Sequence, residues 1–412
     1  MISKNREDDP AMHTNLAIPE CLMPFAGRIM DADAHEYTPV NHWIDQFGEA
    51  TRPFVEAHED SKMPIRQFVA ADDTPIDTDS IWNTKFASAP GAFDFDRRLE
   101  VMDRTGVARQ MVFPGSIGLY ATSFYFRANA FPNMYRSITG DRKAFALQMI
   151  GLYNDFCLRV ARRDDRLRMV AIALAPDVPS LISQVRRLID GGVRAVWLPS
   201  AALPGGVSPA HPSLDPMWDM CEVARVAIMA HVGADFEFLS SAEWRNAPQF
   251  EGWKAGEEFQ MDPWTLSTLH LPVQNFVATM VLGGVFERYP DLRFGACEVT
   301  AQWVGPLAEN LNLWFAHQRK FSLGNMDGDL RLSMKPSDYV RRNTRYSLFD
   351  IEPVDTYIRR YEMPEIYCYA SDYPHPEGGR KPMIDVSERV APFGHDVLEK
   401  VFVENGSWLM PD

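Results

Sequence analysis

The sequence predicts an α/β protein built as one (β/α)8 TIM barrel, and three observations support this fold class. Eight short apolar segments alternate with eight longer segments that have helical periodicity, which is the pattern of parallel β/α units. No glycine-rich turn follows the first apolar segment, as an open nucleotide-binding sheet would require. The 412 residues also exceed the roughly 250 of a typical barrel, which leaves room for insertions. The closed barrel is therefore favoured.

The predicted strands are rich in valine, isoleucine, methionine, phenylalanine and tyrosine, and each is about four to eight residues long. They are Ile29–Asp33, Ala108–Pro114, Arg168–Ala175, Ala195–Pro199, Val226–Val232, Arg293–Cys297, Arg345–Phe349 and Ile366–Ser371. Between them lie helical segments, several of which begin at a capping residue or end at glycine. These are Phe93–Thr105, Asp141–Arg163, Ser180–Asp190, Asp215–Arg225, Thr265–Tyr289, Ala301–Lys320, Pro353–Tyr361 and Met383–Phe402.

The domain organisation follows from these positions. Residues 1–27 are predicted to form an N-terminal arm, and residues 28–412 a single barrel domain. Two connections are long, about 36–92 after strand 1 and about 234–264 after strand 5, and both follow strand C-termini, where a barrel carries its active site. They contain five tryptophans, which form either small cores that hold the loops together or an aromatic lid over a substrate. The five are Trp43, Trp82, Trp244, Trp253 and Trp264.

Composition excludes several classes of function. The formal charge is 41 − 56 = −15, which argues against nucleic-acid or anionic-membrane surfaces. The sequence contains no apolar run of about 18 residues, so no transmembrane helix is predicted. The first residues are polar and acidic, unlike a signal peptide. The five cysteines are far apart in mostly apolar surroundings and show no C-x-x-C pattern, as expected of thiols in a reducing compartment. We therefore expect a cytoplasmic enzyme that acts on a small molecule.

The first strand ends in two side chains that can bind a metal. Asp33 and His35 are separated by one residue, so both lie on the same face of the strand. Carboxylate and imidazole are usual ligands of zinc, manganese and ferrous iron. A histidine at a strand end is also often a core residue satisfied by one hydrogen bond, so this pair alone does not establish a metal site.

Later strands end in the same residue types. His231 ends strand 5, Glu298 follows strand 6 and Asp372 follows strand 8. A buried carboxylate needs a cation or several donors to offset its desolvation. Because all parallel strands of a barrel end at one rim, a shared metal ion explains these residues together better than separate structural roles do.

Several motifs resemble a known family. They are Asp33-Ala-His35, the stretch from His211-Pro to Trp218 leading to His231-Val-Gly, the segment Gly283–Phe294, and Ser371-Asp-Tyr-Pro-His-Pro-Glu377. In combination they resemble the amidohydrolase superfamily, and more narrowly its amidohydrolase-related branch with aminocarboxymuconate-semialdehyde decarboxylase and γ-resorcylate decarboxylase. The resemblance spans most of residues 28–410.

The resemblance implies a barrel that binds one divalent metal ion, with Asp33, His35, His231 and Asp372 as ligands. Zinc is favoured, with manganese or iron as alternatives. The chain has Asp-x-His where members often have His-x-His or Glu-x-His, so Asp33 is either a ligand or a residue that supports the ligands. Strand 4 offers no lysine that would bridge two metals. The resemblance also suggests a homo-oligomer, although no interface pattern is visible in the sequence.

The predicted reaction is hydrolysis of a carbonyl-type bond in a small carboxylated or aromatic substrate. A metal ion would lower the pKa of water, and Asp372 would accept the proton and pass it to the leaving group. Glu298 stands where decarboxylating members often have histidine, which favours hydrolysis; its alternative role is a rim salt bridge. The first alternative is non-oxidative decarboxylation of an aromatic or muconate-type acid. The second is a barrel that binds a ligand without catalysis.

Two further histidines are candidate site residues. His375 follows Asp372 closely in a Pro-His-Pro turn and either contacts substrate or has a purely structural role. His270 lies near the start of the helix after strand 5, where it could donate to a substrate oxygen. The predicted catalytic set is thus Asp372, Glu298, His270 and His375.

Overall fold

A computed structural model describes residues 17–60, 69–128, 134–233, 242–250, 252, 262–321 and 332–412. Eight strands form one parallel sheet in which neighbours follow chain order from β1 to β8. The strands are β1 Ile29–Glu36, β2 Val107–Pro114, β3 Leu167–Ile172, β4 Ala195–Trp197, β5 Ala227–His231, β6 Arg293–Cys297, β7 Thr344–Ser347 and β8 Tyr367–Cys368. All eight predicted strands are present, and the predicted (β/α)8 TIM barrel is confirmed.

Backbone hydrogen bonds close the barrel between its first and last strands. The amide of Ala32 donates to the Tyr369 carbonyl at 3.0 Å, and that of His35 donates to the Tyr373 carbonyl at 2.7 Å. An isolated parallel bridge also pairs Ala34 with Tyr373. The segment after β8 therefore continues along β1 as far as the rim.

Most strands differ from their predictions by one or more residues at an end, and for β1 and β8 the reason can be identified. β1 continues beyond Asp33 because, after a register shift between Asp31 and Ala34, its last residues still pair with β2, as in the pair His35 and Phe113. β8 is shorter than predicted because the amide of Tyr369 donates to the Val401 carbonyl at 2.9 Å, outside the sheet. Both differences concern the last residues of a strand, where hydrophobic pattern alone is least informative.

Seventeen α-helices lie in the described part of the chain, and they surround the sheet or fill its connections. They are α1 Trp43–Phe47, α2 Arg52–Asp60, α3 Thr78–Asn83, α4 Phe95–Arg104, α5 Ile117–Arg127, α6 Arg142–Ala161, α7 Val178–Asp190, α8 Asp215–Val223, α9 Pro263–Thr268, α10 Leu271–Leu282, α11 Val285–Arg288, α12 Val304–Phe321, α13 Pro336–Asn343, α14 Val354–Tyr361, α15 Pro382–Val390, α16 His395–Glu399 and α17 Asn405–Leu409. A π-helical turn, Lys400–Glu404, joins the last two.

Capping explains where several predicted helices begin. The carboxylates of Asp94, Asp141 and Asp177 accept hydrogen bonds from the first amides of α4, α6 and α7.

The region predicted as one helix, Thr265–Tyr289, forms three helices in the structure, α9, α10 and α11. Pro272 lies at the start of α10, and Gly284, with φ of 69°, separates α10 from α11. Six of the described helices lie outside the predicted helical segments: α1, α2, α3, α5, α13 and α17.

The connection after β1 is a folded insertion with its own small core. It contains α1, α2 and α3, and its residues 61–68 lie outside the described part of the chain. The small core includes Tyr37 and Ile81, and Trp82 packs partly against it and against the main core. Trp43 is fully buried in the main core. Residues 234–241, 251 and 253–261 of the second predicted insertion, including Trp253, lie outside the described residues, and Trp244 beside them is exposed.

The predicted N-terminal arm is in part attached to the barrel. Residues Glu20–Phe25 form a 3-10 helix that buries Leu22 and Phe25 in the main core. The amide of Ala17 donates to the Arg104 carbonyl at 2.8 Å. Residues 1–16 lie outside the described part of the chain. Among the described helices, none has both the length and the apolar character needed to cross a bilayer.

Candidate metal centre

Six side chains that can ligate metals or move protons meet at the C-terminal rim of the barrel. β1 supplies two of them, β5 ends in a third, a fourth follows β6, and two follow β8. We call this group the rim cluster. Its members form two overlapping groups in which the candidate ligand atoms lie within 4.8 Å of one another: Asp33, His35 and His231, and His35, Glu298, Asp372 and His375.

The four predicted metal ligands are among them and are divided between the two groups, which share His35. The Nε2 atom of His35 is 3.6 Å from Asp33 Oδ1 and 3.4 Å from Asp372 Oδ1. The Nε2 atom of His231 is 3.8 Å from the same Asp33 oxygen. These separations between ligand atoms are the size expected when several side chains share one ion with bonds of about 2 Å.

Glu298 and His375 complete the rim cluster on its other side. Glu298 Oε2 lies 3.2 Å from His231 Nε2, and Glu298 Oε1 lies 3.7 Å from His375 Nδ1. His375 Nδ1 is 3.1 Å from Asp372 Oδ1. The rings of His35 and His375 are stacked, with centroids 3.8 Å apart. Two predicted catalytic residues are therefore in direct contact with predicted ligands.

The rim cluster is buried, and several of its polar atoms lack a hydrogen-bond partner among the described residues. These atoms include Asp33 Oδ1, the Nε2 atoms of His35 and His231, and both carboxylate oxygens of Asp372. No member is more than 4% exposed. Buried polar atoms are rarely left unsatisfied, and three acids beside three imidazoles match the ligand preference of zinc, manganese or iron. The residues present therefore fit a divalent cation.

Electrostatic interactions within the rim cluster also favour a bound cation. Burial, followed by repulsion from Glu298 and Asp372, raises the pKa of Asp33 well above its usual value. Burial and the neighbouring His375 hold the pKa of His35 well below its usual value. A cation at the rim would favour the ionised carboxylate and the neutral imidazole that metal binding requires.

Local backbone geometry aims two of the acids into the cluster. Glu298 and Asp372 have φ of 52° and 51°, in the left-handed region that side-chain-bearing residues seldom adopt. Such strain persists where surrounding structure enforces it, and it is concentrated at functional sites. His231 is oriented differently, because its Nδ1 lies 2.8 Å from the Val232 carbonyl. That contact assigns the proton to Nδ1 and leaves Nε2 as the ligand atom.

A network below the rim cluster joins β1 to the turn that carries Asp372. The buried Asp31 carboxylate accepts hydrogen bonds from Ser371, at 2.9 Å from the amide and 2.5 Å from the hydroxyl, and from Gln110 Nε2 at 2.8 Å. Burial raises the pKa of Asp31 to about 6 despite these donors. Buried Arg98 donates to the Gln110 side chain at 3.0 Å and to the His35 carbonyl at 2.7 Å. These contacts fix where the ligand-bearing segments lie.

Sequence reasoning missed this supporting network, although one signal was available. Asp31 precedes Asp33 by two residues, so alternation along a strand places both on the same face. The partners of Asp31 were not predictable, because Gln110 and Ser371 are 79 and 340 residues away in sequence.

Aromatic side chains form the wall beside the rim cluster. The rings of Phe113 and Trp197 lie 4.6 Å and 5.8 Å from the ring of His231, and that of Tyr37 lies 5.5 Å from His375. Trp197 is the last residue of β4, and Phe113 is the residue before the last in β2. A wall of this kind suits a planar, apolar body of a small ligand.

His270 lies apart from these contacts. Its ring stacks on Trp303 with centroids 6.1 Å apart, and burial lowers its pKa. The Trp303 indole donates to the Val299 and Thr300 carbonyls, which follow Glu298 in the chain. His270 is thus connected to the rim through Trp303, and its predicted role toward substrate stays a prediction.

Comparison with known proteins agrees with the barrel fold. The amidohydrolase family model matches residues 128–298. No curated protein sequence matches the chain. Among solved structures, an amidohydrolase from Mycobacterium avium subsp. paratuberculosis is similar with a TM-score of 0.64 and 17% identity, over 93% of this chain and 98% of the other.

Two further similar structures have more specific names. One is 5-carboxyvanillate decarboxylase from Sphingomonas paucimobilis, with a TM-score of 0.57 and 16% identity over 93% of this chain and 98% of the other. The second is the Novosphingobium aromaticivorans enzyme of the same name, a mutant with bound manganese and 3-methoxy-4-hydroxy-5-nitrobenzoic acid. It has a TM-score of 0.57 and 13% identity over 97% of each chain. The family match and the shared barrel confirm the resemblance of this chain to the amidohydrolase superfamily.

Proposed function

We propose that this protein is a metal-dependent enzyme that removes carbon dioxide, without oxidation, from a small aromatic or muconate-type carboxylic acid. The observation that carries the proposal is the buried rim cluster with Phe113 and Trp197 against one of its histidines. A buried site of this kind keeps solvent away from a reaction that needs no water. The two 5-carboxyvanillate decarboxylases with the same fold support the choice of reaction.

Four residues of the cluster would hold the metal ion: Asp33, His35, His231 and Asp372. A divalent ion bound there supplies positive charge that fixes and polarises the substrate carboxylate and an adjacent oxygen. Zinc and manganese both suit two imidazoles and two carboxylates, and one similar structure contains manganese. Ferrous iron binds the same ligand types.

The remaining residues would manage the proton. When the bond between the ring carbon and the carboxylate breaks, carbon dioxide leaves and the electron pair stays on the carbon, which must then be protonated. His375 is the candidate donor, since its Nδ1 lies 3.1 Å from Asp372 Oδ1 and 3.7 Å from Glu298 Oε1. Those two carboxylates can orient the imidazole, and Glu298 can return a proton to it after turnover.

Hydrolysis is the second candidate, and Glu298 is the observation that favours it. A carboxylate 3.2 Å from His231 Nε2 can accept a proton from an attacking water molecule. The water oxygen would then bond to a substrate carbonyl carbon, and the proton would pass to the leaving nitrogen or oxygen. The same metal ligands would serve both reactions.

Product analysis distinguishes the two reactions. Protein reconstituted separately with zinc, manganese and ferrous iron would be incubated with hydroxybenzoates, 5-carboxyvanillate, lactones and amides in deuterated, 18O-labelled water. We expect carbon dioxide from the acids and one deuterium on the former carboxyl-bearing carbon. Solvent 18O in the product of a lactone or amide, without carbon dioxide from any acid, would establish hydrolysis instead. No metal binding and no turnover in any combination would favour a ligand-binding barrel without catalysis.

A further inference from the structure

Trp197 differs from the other buried tryptophans in what its indole N–H contacts. The indole nitrogens of Trp43, Trp218 and Trp303 donate to the backbone carbonyls of Thr38, Pro209 and Val299 at 2.9 to 3.1 Å. Trp197 is 1% exposed, yet its Nε1 has no acceptor among the residues that the structure describes. A buried tryptophan normally has a partner for this donor, and its absence is unfavourable.

The position of Trp197 suggests which kind of acceptor is missing. It is the last residue of β4 and lies in register with Met229 of β5, two residues before His231. Its ring meets the His231 ring at 5.8 Å and 70°. Its ring edge also approaches Gly233, where a Cβ atom would be 3.9 Å away. The ring that carries the unsatisfied donor is therefore part of the wall of the rim cluster.

Phe113 also contacts His231, with its ring 4.6 Å from that of His231. A phenyl ring carries no N–H or O–H group, so of these two aromatic side chains only Trp197 can donate a hydrogen bond. Such an N–H group can accept neither a proton nor a cation, and it binds only hydrogen-bond acceptors.

We propose that the indole N–H of Trp197 donates a hydrogen bond to an oxygen atom of the substrate carboxylate and so positions the substrate beside the metal centre. This inference rests on the proposed function, because it takes the substrate to be a carboxylic acid. Trp197 would be a specificity-determining residue: an acid presents an acceptor oxygen to the donor, and an apolar ligand leaves it unsatisfied. A hydrogen bond to a charged acceptor in a buried site is worth about 10- to 100-fold in affinity.

The direct test observes the indole group itself. Metal-loaded protein labelled with 15N-tryptophan would be titrated with benzoate and with 3-methoxy-4-hydroxy-5-nitrobenzoate, and Trp197 Nε1–H would be assigned from a Trp197→Phe variant. We expect its proton resonance alone among the buried indoles to move downfield and to exchange more slowly with solvent. The resonance of Trp218, whose N–H is bonded to Pro209, is the internal control.

Binding measurements on Trp197→Phe complete the test. Phenylalanine keeps an aromatic ring and removes the donor, so we expect unchanged metal content and about 10- to 100-fold weaker carboxylate binding. If both acids bind and neither shifts the Trp197 resonance, the inference is wrong while the proposed function stands. If neither acid binds to metal-loaded protein at any concentration up to saturation of the solution, the proposed substrate class fails, and this inference fails with it. If the variant does not fold, the titration of the unaltered protein still decides the question.

Discussion

The amide of Asp372 donates to the main-chain carbonyl of Asp33 at 2.8 Å. This contact joins the first strand of the barrel to the segment after the last strand, at two of the predicted metal ligands. The backbone contacts that close the barrel thus also place ligands of the rim cluster. Variants that loosen this junction are therefore expected to affect metal binding before they affect the rest of the fold.

The contact between Ser371 and Asp31 offers a mild way to loosen it. Ser371→Ala removes the hydroxyl that donates to Asp31 at 2.5 Å and also accepts from the Tyr373 amide at 3.2 Å. We expect metal affinity to fall about 10- to 100-fold, as for other losses of partners that orient ligands. Competition with a chromophoric chelator measures this change. Ser267→Ala, in α9 and away from the rim cluster, is the control, and equal affinities of the two variants would contradict the positioning role of Ser371.

A second variant tests the packing behind Asp372. A Cβ atom on Gly378 would lie 2.0 Å from the Ser371 carbonyl oxygen and 2.9 Å from Asp372 Cβ. Gly378→Ala must displace that backbone, so we expect a loss of about 1–3 kcal/mol in unfolding free energy together with weaker metal binding. The matched control is Gly151→Ala in α6, where a Cβ atom meets nothing within 4 Å. Chemical unfolding and metal titration of both variants provide the comparison. If Gly378→Ala binds metal as tightly as the wild type, packing at Gly378 does not hold the turn that carries Asp372.

His375 should be separable from the metal ligands. His375→Gln removes the imidazole beside Asp372 and Glu298 but leaves the four predicted ligands intact. We expect the variant to retain its metal while turnover falls about 100-fold or more, since general acid catalysis contributes about 10²–10⁴. Metal content and rate of product formation are the two measurements. His270→Gln, outside the rim cluster, is the control for metal content. Loss of metal from His375→Gln would reassign His375 as a ligand.

Glu352 makes stability depend on pH. Its carboxylate accepts from the amides of Ala301 and Phe349, which follow β6 and β7, and burial raises its pKa from 4.5 to about 7. Between these values the folded protein holds a proton that the unfolded chain has released. Stability should therefore be greatest below pH 4.5, as far as this group is concerned, and fall as the pH rises toward 7.

The measurement is urea unfolding of the wild type and Glu352→Gln across that window. We expect this carboxyl to account for a decrease on the order of 3 kcal/mol in the wild type, and Glu352→Gln to lack that part of the pH dependence. The variant controls for every other titrating group, including Asp31, whose raised pKa acts in the same direction. Parallel pH profiles for the two proteins would contradict the assignment.

Features of this structure that depend on neighbouring residues in the sequence could be predicted, and features that depend on contacts between distant residues could not. Strand and helix positions follow from local periodicity, and the rim follows from the rule that parallel barrel strands end together, so Asp33, His35, His231 and Asp372 were found together. The break between α10 and α11 depends on the left-handed conformation of Gly284, which periodicity does not report. The partners of Asp31 and the unsatisfied indole of Trp197 depend on distant residues, and no pattern within one strand predicts them.

The central claim is that Asp33, His35, His231 and Asp372 bind one divalent metal ion. Elemental analysis of protein purified without added metal, beside His231→Ala and the control His270→Ala, tests it most directly. We predict about one equivalent of zinc, manganese or iron in the wild type and in His270→Ala, and little in His231→Ala at unchanged secondary structure. Equal metal content in all three proteins, or none in a correctly folded wild type that also fails to take up added metal, would contradict the claim.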